Sequence, residues 1–267
     1  MAVKAATKCL PARSAPLRPL WGSPGGKKLL ASRIVAMIPA HRTYVEPFAG
    51  GAAVFWAKPP TGREVLADRD PEIAAAYRFV RDLSAAELSL LRRRDWNVTE
   101  ARFNRLLKSK PGTPVDRFYR FAHLVAGSYG SQRLHVSPSD VGTAIGMPSR
   151  LEAAHVRLAG VQVHQGNALA TIQRYDGPGT FFYLDPPFPS SDQQFGTAKF
   201  TPADLERLCK GLVGIRGKFL MSLAIADRKH LPSGPRWQVR EVRPRRLGSP
   251  EQARAREILV ANYRLPS

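Results

Sequence analysis

A buried-looking apolar run that ends abruptly in an acid and two prolines most constrains the fold of this chain. Residues 180–184 read TFFYL, and DPPF follows at residues 185–188. Continuous apolar runs of this length are typical of a parallel strand covered on both faces, whereas a half-exposed strand alternates. The pattern therefore predicts an α/β fold in which Asp185 lies at the carboxyl end of a strand, where open sheets bind ligands.

The four residues after the run suit a planar ring that carries an amino group. Two prolines fix the backbone and remove two amide donors, so the carbonyls of Asp185 and Pro186 face outward from a stiff loop. Phe188 offers an aromatic face beside these acceptors. The alternative is a strand ending in a proline-stiffened turn, with Phe188 filling the core, because a four-residue motif alone has a high false-positive rate.

An earlier stretch predicts a nucleoside site. Residues 43–56 (TYVEPFAGGAAVFW) read as a strand, a glycine turn and a helix, and residues 64–68 (EVLAD) read as a second strand ending in Asp68. Glycines admit a ligand to the backbone, and an acid about 20 residues later suits ribose hydroxyls. The GxGxxG phosphate turn is missing, which favours S-adenosylmethionine over a dinucleotide.

A further glycine-rich turn, WGSPGGK at residues 21–27, leads into apolar residues with a helical period at 29–38. Its glycines allow close approach of a ligand, and Lys27 can place a positive charge on a carboxylate or phosphate. The alternative for this turn is a solvated loop without a ligand.

The charge of the chain predicts a polyanionic partner, with nucleic acid as the leading candidate. Lys and Arg total 41 against 21 Asp and Glu, which gives a formal net charge of +20. No apolar stretch approaches the ~18 residues needed to span a bilayer. Neither the two cysteines nor the six histidines show metal-ligand spacing, so we expect no metal site and a reducing compartment.

Residues 71–157 change in character and predict a mainly helical insert. Helical patterns cover 71–83, 85–94, 99–108 and 115–125, and a turn-rich loop or hairpin covers 127–147. Nine basic residues and three acids lie between Arg92 and Arg120. This imbalance favours a nucleic-acid-reading domain, with a solvated helix face as the alternative. Outside the insert, a polar loop at 190–199 is expected to order over a substrate, and 236–246 and 257–263 to form a closing antiparallel pair.

Taken in order, PGGK, VEPFAGGAAVF, LADRD, the basic insert, GN, LDPPF and EILVANY resemble the Dam-like (D12 class) family of adenine-specific DNA methyltransferases. The resemblance spans about Trp21 to Tyr263. It implies a Rossmann-like S-adenosylmethionine-dependent methyltransferase sheet at 21–70 and 158–267, with an inserted DNA target-recognition domain at 71–157. Residues 1–20 remain as a flexible basic tail, for which a mitochondrial transit peptide is the second interpretation.

The resemblance also implies an activity and its residues. A methyl group would pass from S-adenosylmethionine to the exocyclic amine of a flipped-out adenine in double-stranded DNA. We expect a monomeric cytoplasmic protein, nucleoid-associated and of bacterial or phage origin. The expected catalytic residues are Asp185, Pro186, Pro187 and Phe188. The expected cofactor-binding residues are Trp21, Lys27, Glu46, Pro47, Phe48, Gly50, Gly51, Asp68, Asn167 and Asp185.

DNA recognition is expected in the insert, at Arg117, Arg120, Tyr129, Gln132 and Arg133. Tyr129 can stack on a base, and the Gln132 amide and Arg133 guanidinium can pair with adenine and guanine. Arg117 and Arg120 are better placed for phosphates, which position the protein without specifying sequence.

The chain departs from the family pattern at three places. Phe188 stands where many members have tyrosine, Asn167 stands where an acid is common, and the insert lacks an NxxGxFNVPFG-type hairpin, so a GATC target does not carry over. Two other functions stay open: the same chemistry on RNA or on a cytosine amine, and a non-catalytic nucleic-acid-binding protein with this fold.

Overall fold

The computed structural model describes residues 16–23, 25–128, 131–137, 144–190, 200–233, 237–242 and 256–266. Seven strands form one sheet in the order β3-β2-β1-β4-β5-β7-β6. The strands are β1 Thr43–Glu46, β2 Arg63–Asp68, β3 Gln162–Gln165, β4 Thr180–Leu184, β5 Lys218–Ala224, β6 Gln238–Val242 and β7 Glu257–Ala261. The first five pair in parallel, and β7 lies antiparallel between β5 and β6.

The strand order creates a switch point between β1 and β4. From β1 the chain builds outward through β2 and β3, and it then returns to the other side of β1 to form β4 and β5. Crossover connections therefore leave in opposite directions from β1 and β4, and a crevice opens at their carboxyl ends. This is the predicted Rossmann-like sheet, and the antiparallel closing pair is confirmed within the described residues.

Helices fill the connections. They are α1 Ala31–Met37, α2 Ala53–Ala57, α3 Pro71–Arg81, α4 Ala85–Arg92, α5 Glu100–Lys108, α6 Pro114–Ala126, α7 Met147–Leu158, α8 Ala168–Tyr175 and α9 Pro202–Leu212, with a 3-10 turn over Ile225–His230. Thr201 caps α9 in a reciprocal capping box with Asp204, and Pro202 occupies its first turn, as the sequence predicts. The short α8 was not predicted.

Both faces of the sheet are buried, which explains the continuous apolar run of β4. Phe181 and Tyr183 belong to one apolar core, and Phe182 and Leu184 belong to a second core on the other face. The first core is covered mainly by α1 to α3, α6 and α7, and the second by α8 and α9. Successive side chains of β4 point to opposite faces of the sheet, and because both faces are buried, residues 181–184 of the strand are all apolar.

The predicted insert packs closely on the sheet. Helix α3 contacts β2, β3 and α7, and α6 contacts α3. Trp21, which precedes the first helix, places its ring against those of both Tyr77 in α3 and Phe121 in α6. The division at residues 71 and 157 thus stays a prediction, since one apolar core runs through both parts.

The chain is already packed before residue 21. Leu20 is buried, and the Arg150 guanidinium of α7 donates hydrogen bonds to the carbonyls of Pro19 and Leu20. Residues 1–15 of the predicted tail lie outside the described residues. Across the described ranges, no helix combines the length and the apolar character that a membrane crossing requires.

Candidate active site

A cavity of about 510 Å³ lies at the carboxyl ends of β1, β2 and β4. Described residues from several stretches that are distant in sequence contribute to its wall: 21–23, 25–27, 46–53, 68–73, 121–125, 131–133, 183–188 and Phe200. The volume is typical of a site for a small molecule or cofactor. Of the predicted site residues, the wall includes Trp21, Lys27, Glu46, Phe48, Gly50, Asp68, Gln132, Arg133, Asp185, Pro186, Pro187 and Phe188.

The charge of this cavity is opposite to that of the chain. Its wall contains five acids, namely Glu46, Asp68, Asp70, Glu72 and Asp185, against three bases, Lys27, Arg69 and Arg133. The whole chain has nearly twice as many basic as acidic side chains. A wall of this composition favours a cationic ligand and disfavours a pyrophosphate.

Lys27 and Asp185 form a buried ion pair. Lys27 Nζ lies 2.8 Å from Asp185 Oδ1 and donates a second hydrogen bond of 2.8 Å to the carbonyl of Gly25. Burial raises the pKa of the Asp185 carboxyl, and the nearby ammonium opposes that rise. Burial acts to lower the pKa of Lys27, but the charges of Asp185 and Glu257 outweigh it, so this pKa lies above its usual value. The Lys27 ammonium thus favours the ionised form of Asp185, against the effect of burial.

Phe188 places its ring beside the same ion pair. Lys27 Nζ lies 4.8 Å from the ring centroid, within cation–π range. The chain beyond the ring is anchored by Asp227, whose carboxylate accepts hydrogen bonds from the amide and hydroxyl of Ser190. The predicted loop from 190 to 199 lies outside the described residues after Ser190.

The glycine turn after β1 is held by hydrogen bonds. Gly50 adopts φ +46°, a left-handed conformation that favours glycine, and its carbonyl accepts hydrogen bonds from Trp21 Nε1 and the Tyr77 hydroxyl. A Cβ at Gly51 would lie 2.9 Å from the Trp21 carbonyl oxygen. Gly51 is thus required where two backbone segments pack closely, behind the cavity wall.

Asp68 closes this turn from the end of β2. Its two carboxylate oxygens accept hydrogen bonds from the backbone amides of Gly50 at 2.8 Å and Asp70 at 2.9 Å. Burial raises its pKa to about 6, although both hydrogen bonds favour the ionised form. The structure therefore gives Asp68 a role in shaping the turn, and its contact with a ribose stays a prediction.

Glu46 lies at the end of β1 with almost no exposure. Its Oε1 atom accepts hydrogen bonds from the Tyr44 hydroxyl at 2.5 Å and the Phe55 amide at 2.8 Å. Burial raises its pKa to about 8, which both hydrogen bonds partly offset. At neutral pH this carboxyl is mostly protonated.

Besides Gly51, two predicted cofactor residues are not part of the wall. Asn167 caps α8, where its side-chain oxygen accepts a hydrogen bond of 2.8 Å from the Leu169 amide. Pro47 follows β1 but does not line the cavity. The structure does not bring either residue to the predicted cofactor site, so their contacts with it stay predictions.

The predicted base-reading arginine is engaged by carboxylates. Arg133 adopts φ +62°, and its guanidinium forms ion pairs with Asp70 and with Glu72, the latter at 2.6 Å. It also lies over the ring of Phe121. Base reading by Arg133 would require these ion pairs to open. Gln132 lines the cavity beside it, and Tyr129 lies outside the described residues.

The two predicted phosphate contacts also have partners within the chain. Arg120 pairs with Glu72 at 2.7 Å and donates hydrogen bonds to the carbonyls of Leu106 and Leu107. The exposed Arg117 donates to the carbonyls of Pro111 and Gly112, which leaves its guanidinium without a carboxylate partner among the described residues. Of the two, Arg117 is the more available for a phosphate.

Sequence reasoning missed several groups at this site. Tyr183 lines the cavity and shares a hydrogen bond with Ser222, and Glu257 lies 3.6 Å from Lys27 Nζ. The antiparallel direction of β7 is the signal for Glu257, because the first residue of such a strand lies at the edge where the parallel strands end. No sequence pattern near Asp70 or Glu72 indicates that these acids pair with Arg133.

Among the comparisons with known proteins, one gives a family match. Residues 23–111 match the family model of the D12 class N6 adenine-specific DNA methyltransferases. No curated protein matches the chain. Among solved structures, yhhF of Escherichia coli, a provisionally assigned methyltransferase, aligns over 94% of this chain and 90% of its own, with 12% identity and a TM-score of 0.38. So low a score carries no weight for the fold, which rests on the strand order.

The matched range holds the Lys27 turn, the Gly50 turn and Asp68, and the structure joins these in one cavity with the DPPF segment at residues 185–188. Over residues 23–111 the chain is thus similar to the D12 class N6 adenine-specific DNA methyltransferases, and the DPPF segment lies outside the matched range.

Proposed function

We propose that the protein transfers a methyl group from S-adenosylmethionine to the exocyclic amine of an adenine that is flipped out of double-stranded DNA. The observation that carries this proposal is the acidic cavity at the switch point of the sheet, with Asp185 and Phe188 in its wall. The family match over residues 23–111 supports DNA as the substrate and N6-methyladenine as the product.

The charge of the cavity supports S-adenosylmethionine as the donor. When bound, this cofactor supplies a methyl group on a positively charged sulfur, which an amine nitrogen can attack. The acids Asp68 and Asp70 suit such a cation, and Trp21 and Phe48 offer apolar contact for a nucleoside. A dinucleotide would bring a pyrophosphate into a wall that has more acids than bases.

Asp185 and the Pro186 carbonyl would prepare the amine. The nitrogen of adenine is a poor nucleophile because its lone pair is delocalised into the ring. Acceptors for both amine hydrogens favour a pyramidal nitrogen, and burial of Asp185 makes its carboxylate a stronger acceptor. Orientation of two bound reactants can lower a barrier by about 7–11 kcal/mol, so positioning supplies most of the effect. The proton that the methylated nitrogen releases has Asp185 as its first acceptor.

Phe188 would stack on the flipped base. Extrusion of a base costs a few kcal/mol, and stacking on an aromatic ring returns about 1–3 kcal/mol per base. Phenylalanine retains the ring that stacking needs and lacks the tyrosine hydroxyl of many relatives. The stacking role depends on the ring plane and not on a hydrogen bond.

Backbone contacts with DNA would come from the exposed end of α5 and the loop after it. No carboxylate of the described residues lies within ion-pair distance of Arg105, Lys108 or Lys110, and all three are exposed. Arg120 links this segment to Glu72, and Glu72 links it to Arg133 in the cavity wall. The cluster is therefore close to the site yet free to meet phosphates.

One experiment tests the reaction. DNA and RNA are incubated separately with the protein and S-adenosylmethionine carrying an isotopic label in its methyl group, and the nucleosides are identified by mass spectrometry. We expect label only in N6-methyldeoxyadenosine, and no label with Asp185→Ala. Label in RNA or in N4-methyldeoxycytidine would move the protein to another substrate, and no label in any nucleoside would favour a binding protein.

A second experiment tests the DNA contacts. The Lys108→Ala/Lys110→Ala variant should bind all DNA sequences more weakly, with a salt dependence lower by about two in the log–log slope. Arg207→Ala is the matched control, since this exposed arginine lies on α9 over the other face of the sheet. Equal slopes in both variants would exclude the α5 cluster from the interface.

A further inference from the structure

Glu257 is a second carboxylate beside the Lys27–Asp185 ion pair. It is the first residue of β7, paired with Ala224 at the carboxyl end of β5, so its side chain reaches the same edge as Asp185. Its Oε2 atom lies 3.6 Å from Lys27 Nζ. That oxygen is buried and accepts no hydrogen bond from any described residue. The Lys27 ammonium at 3.6 Å is its ion-pair partner, and a closer approach of that ammonium would complete the pairing.

The Lys27 ammonium therefore forms ion pairs with two carboxylates, and it lies closer to Asp185 than to Glu257. Lys27 Nζ uses two of its three donors on Asp185 and the Gly25 carbonyl, each at 2.8 Å. The distance to Glu257 is longer than a hydrogen bond. A shift of roughly 1 Å in Nζ would exchange the two carboxylates without breaking the charge balance of the site.

Lys27 also occupies both groups that the proposed function assigns to the target base. Its ammonium binds Oδ1 of the Asp185 carboxylate that would accept from the amine, and it lies over the Phe188 ring that would stack on the base. A neutral amine is a weaker partner for a carboxylate oxygen than an ammonium, so it gains full access to Asp185 most easily when the ammonium finds another carboxylate. Glu257 is the carboxylate that lies within reach.

We propose that Glu257 is a positioning residue that receives Lys27 from Asp185 when the target adenine enters the site. The inference rests on the proposed function, because it takes Asp185 as the acceptor for the amine. Before the base arrives, Lys27 neutralises Asp185. After the exchange, Lys27 pairs with Glu257 and the Asp185 carboxylate is free to accept from the amine. Asp185 and Glu257 are thus both needed for one step, although only Asp185 contacts the base.

The test measures preference for an amine and needs no methyl transfer. Two duplexes carry adenine or purine, which lacks the amine, at the target position found by methylation-site sequencing. Their affinities are compared by fluorescence anisotropy without cofactor. The parent should prefer adenine, and Glu257→Gln should reduce the ratio by about tenfold, since Lys27 then stays on Asp185. Glu206→Gln, an exposed acid on α9, is the matched control and should keep the parent ratio.

The double variant separates positioning from a structural role. In Lys27→Met/Glu257→Gln the competing ammonium is absent, so the preference for adenine should return towards the parent value. Further loss in the double variant, or an unchanged ratio in Glu257→Gln, would overturn the exchange. Asp185→Ala, which removes the acceptor, distinguishes the two proposals. If it keeps the preference, the amine-acceptor role itself fails, whereas loss in Asp185→Ala with an unchanged Glu257→Gln removes only the exchange.

Discussion

Replacement of Glu46 by glutamine should make the protein more stable at high pH. The side chain is only 2% exposed, and burial raises its pKa from 4.5 to about 8. Both of its hydrogen bonds end on Oε1, so the carbonyl oxygen of a glutamine can accept them equally well. Glu46→Gln therefore removes the ionisable group and preserves the acceptor and the shape.

The sign of the effect follows from proton binding. Below pH about 4.5 the carboxyl is protonated in folded and unfolded chains alike, and it contributes no pH dependence. Between about 4.5 and about 8 the folded chain holds a proton that the unfolded chain has released, so the free energy of unfolding falls as pH rises. At about 1.4 kcal/mol per pH unit, the loss is at most about 5 kcal/mol. This is a large part of the total stability of a typical domain.

The assay is urea unfolding of parent and variant at pH 5, 6, 7 and 8, followed by tryptophan fluorescence. The difference in unfolding free energy should grow in favour of Glu46→Gln across this range, by a few kcal/mol. Glu152→Gln, whose side chain is 69% exposed, is the control and should follow the parent. Parallel pH profiles for the parent and Glu46→Gln would refute the raised pKa and the protonated state that we assign to Glu46.

Three other outcomes can be measured. Asp68→Ala should weaken S-adenosylmethionine binding by about 1–3 kcal/mol in calorimetry, because the Gly50 amide loses its acceptor, and DNA affinity should change little. Phe188→Tyr should keep most of the single-turnover rate and Phe188→Ala should lose most of it, because stacking requires the ring. Methylation-site sequencing should show relaxed preference at one base position for Arg133→Ala, whereas Arg117→Ala should leave the motif intact and weaken binding to every sequence.

The sheet could be predicted because its signals are local. The residues of β4 are apolar without interruption since each face packs against its own core, and that requirement is visible in five consecutive letters. The start of α9 is similarly local, because Thr201, Pro202 and Asp204 satisfy the first turn by themselves. Capping hydrogen bonds and burial on both faces can both be recognised from a few consecutive residues.

The side-chain pairings of the site could not be predicted in the same way. Arg133 was expected to face DNA, but its guanidinium meets Asp70 and Glu72, which lie more than 60 residues earlier. Lys27 meets Asp185 across most of the length of the chain. Such pairs depend on how α3, α6 and the turn before α1 pack around Trp21, and no spacing within the sequence encodes that packing.

The proposed substrates, polyanionic DNA and cationic S-adenosylmethionine, have opposite charges. This difference explains why a strongly basic chain encloses an acidic cavity. A formal charge of +20 attracts a polyanion over distances of about a Debye length, and this attraction requires no particular arrangement. Inside the cavity, acids outnumber bases even without the protonated Glu46, and each charged side chain acts at a few ångströms, where low polarity strengthens the interaction. A small cationic cofactor can therefore be held where the net field of the chain would repel it. Loss of a single cavity acid should then affect cofactor binding far more than DNA binding, because DNA senses the sum of charges and the cofactor senses individual ones.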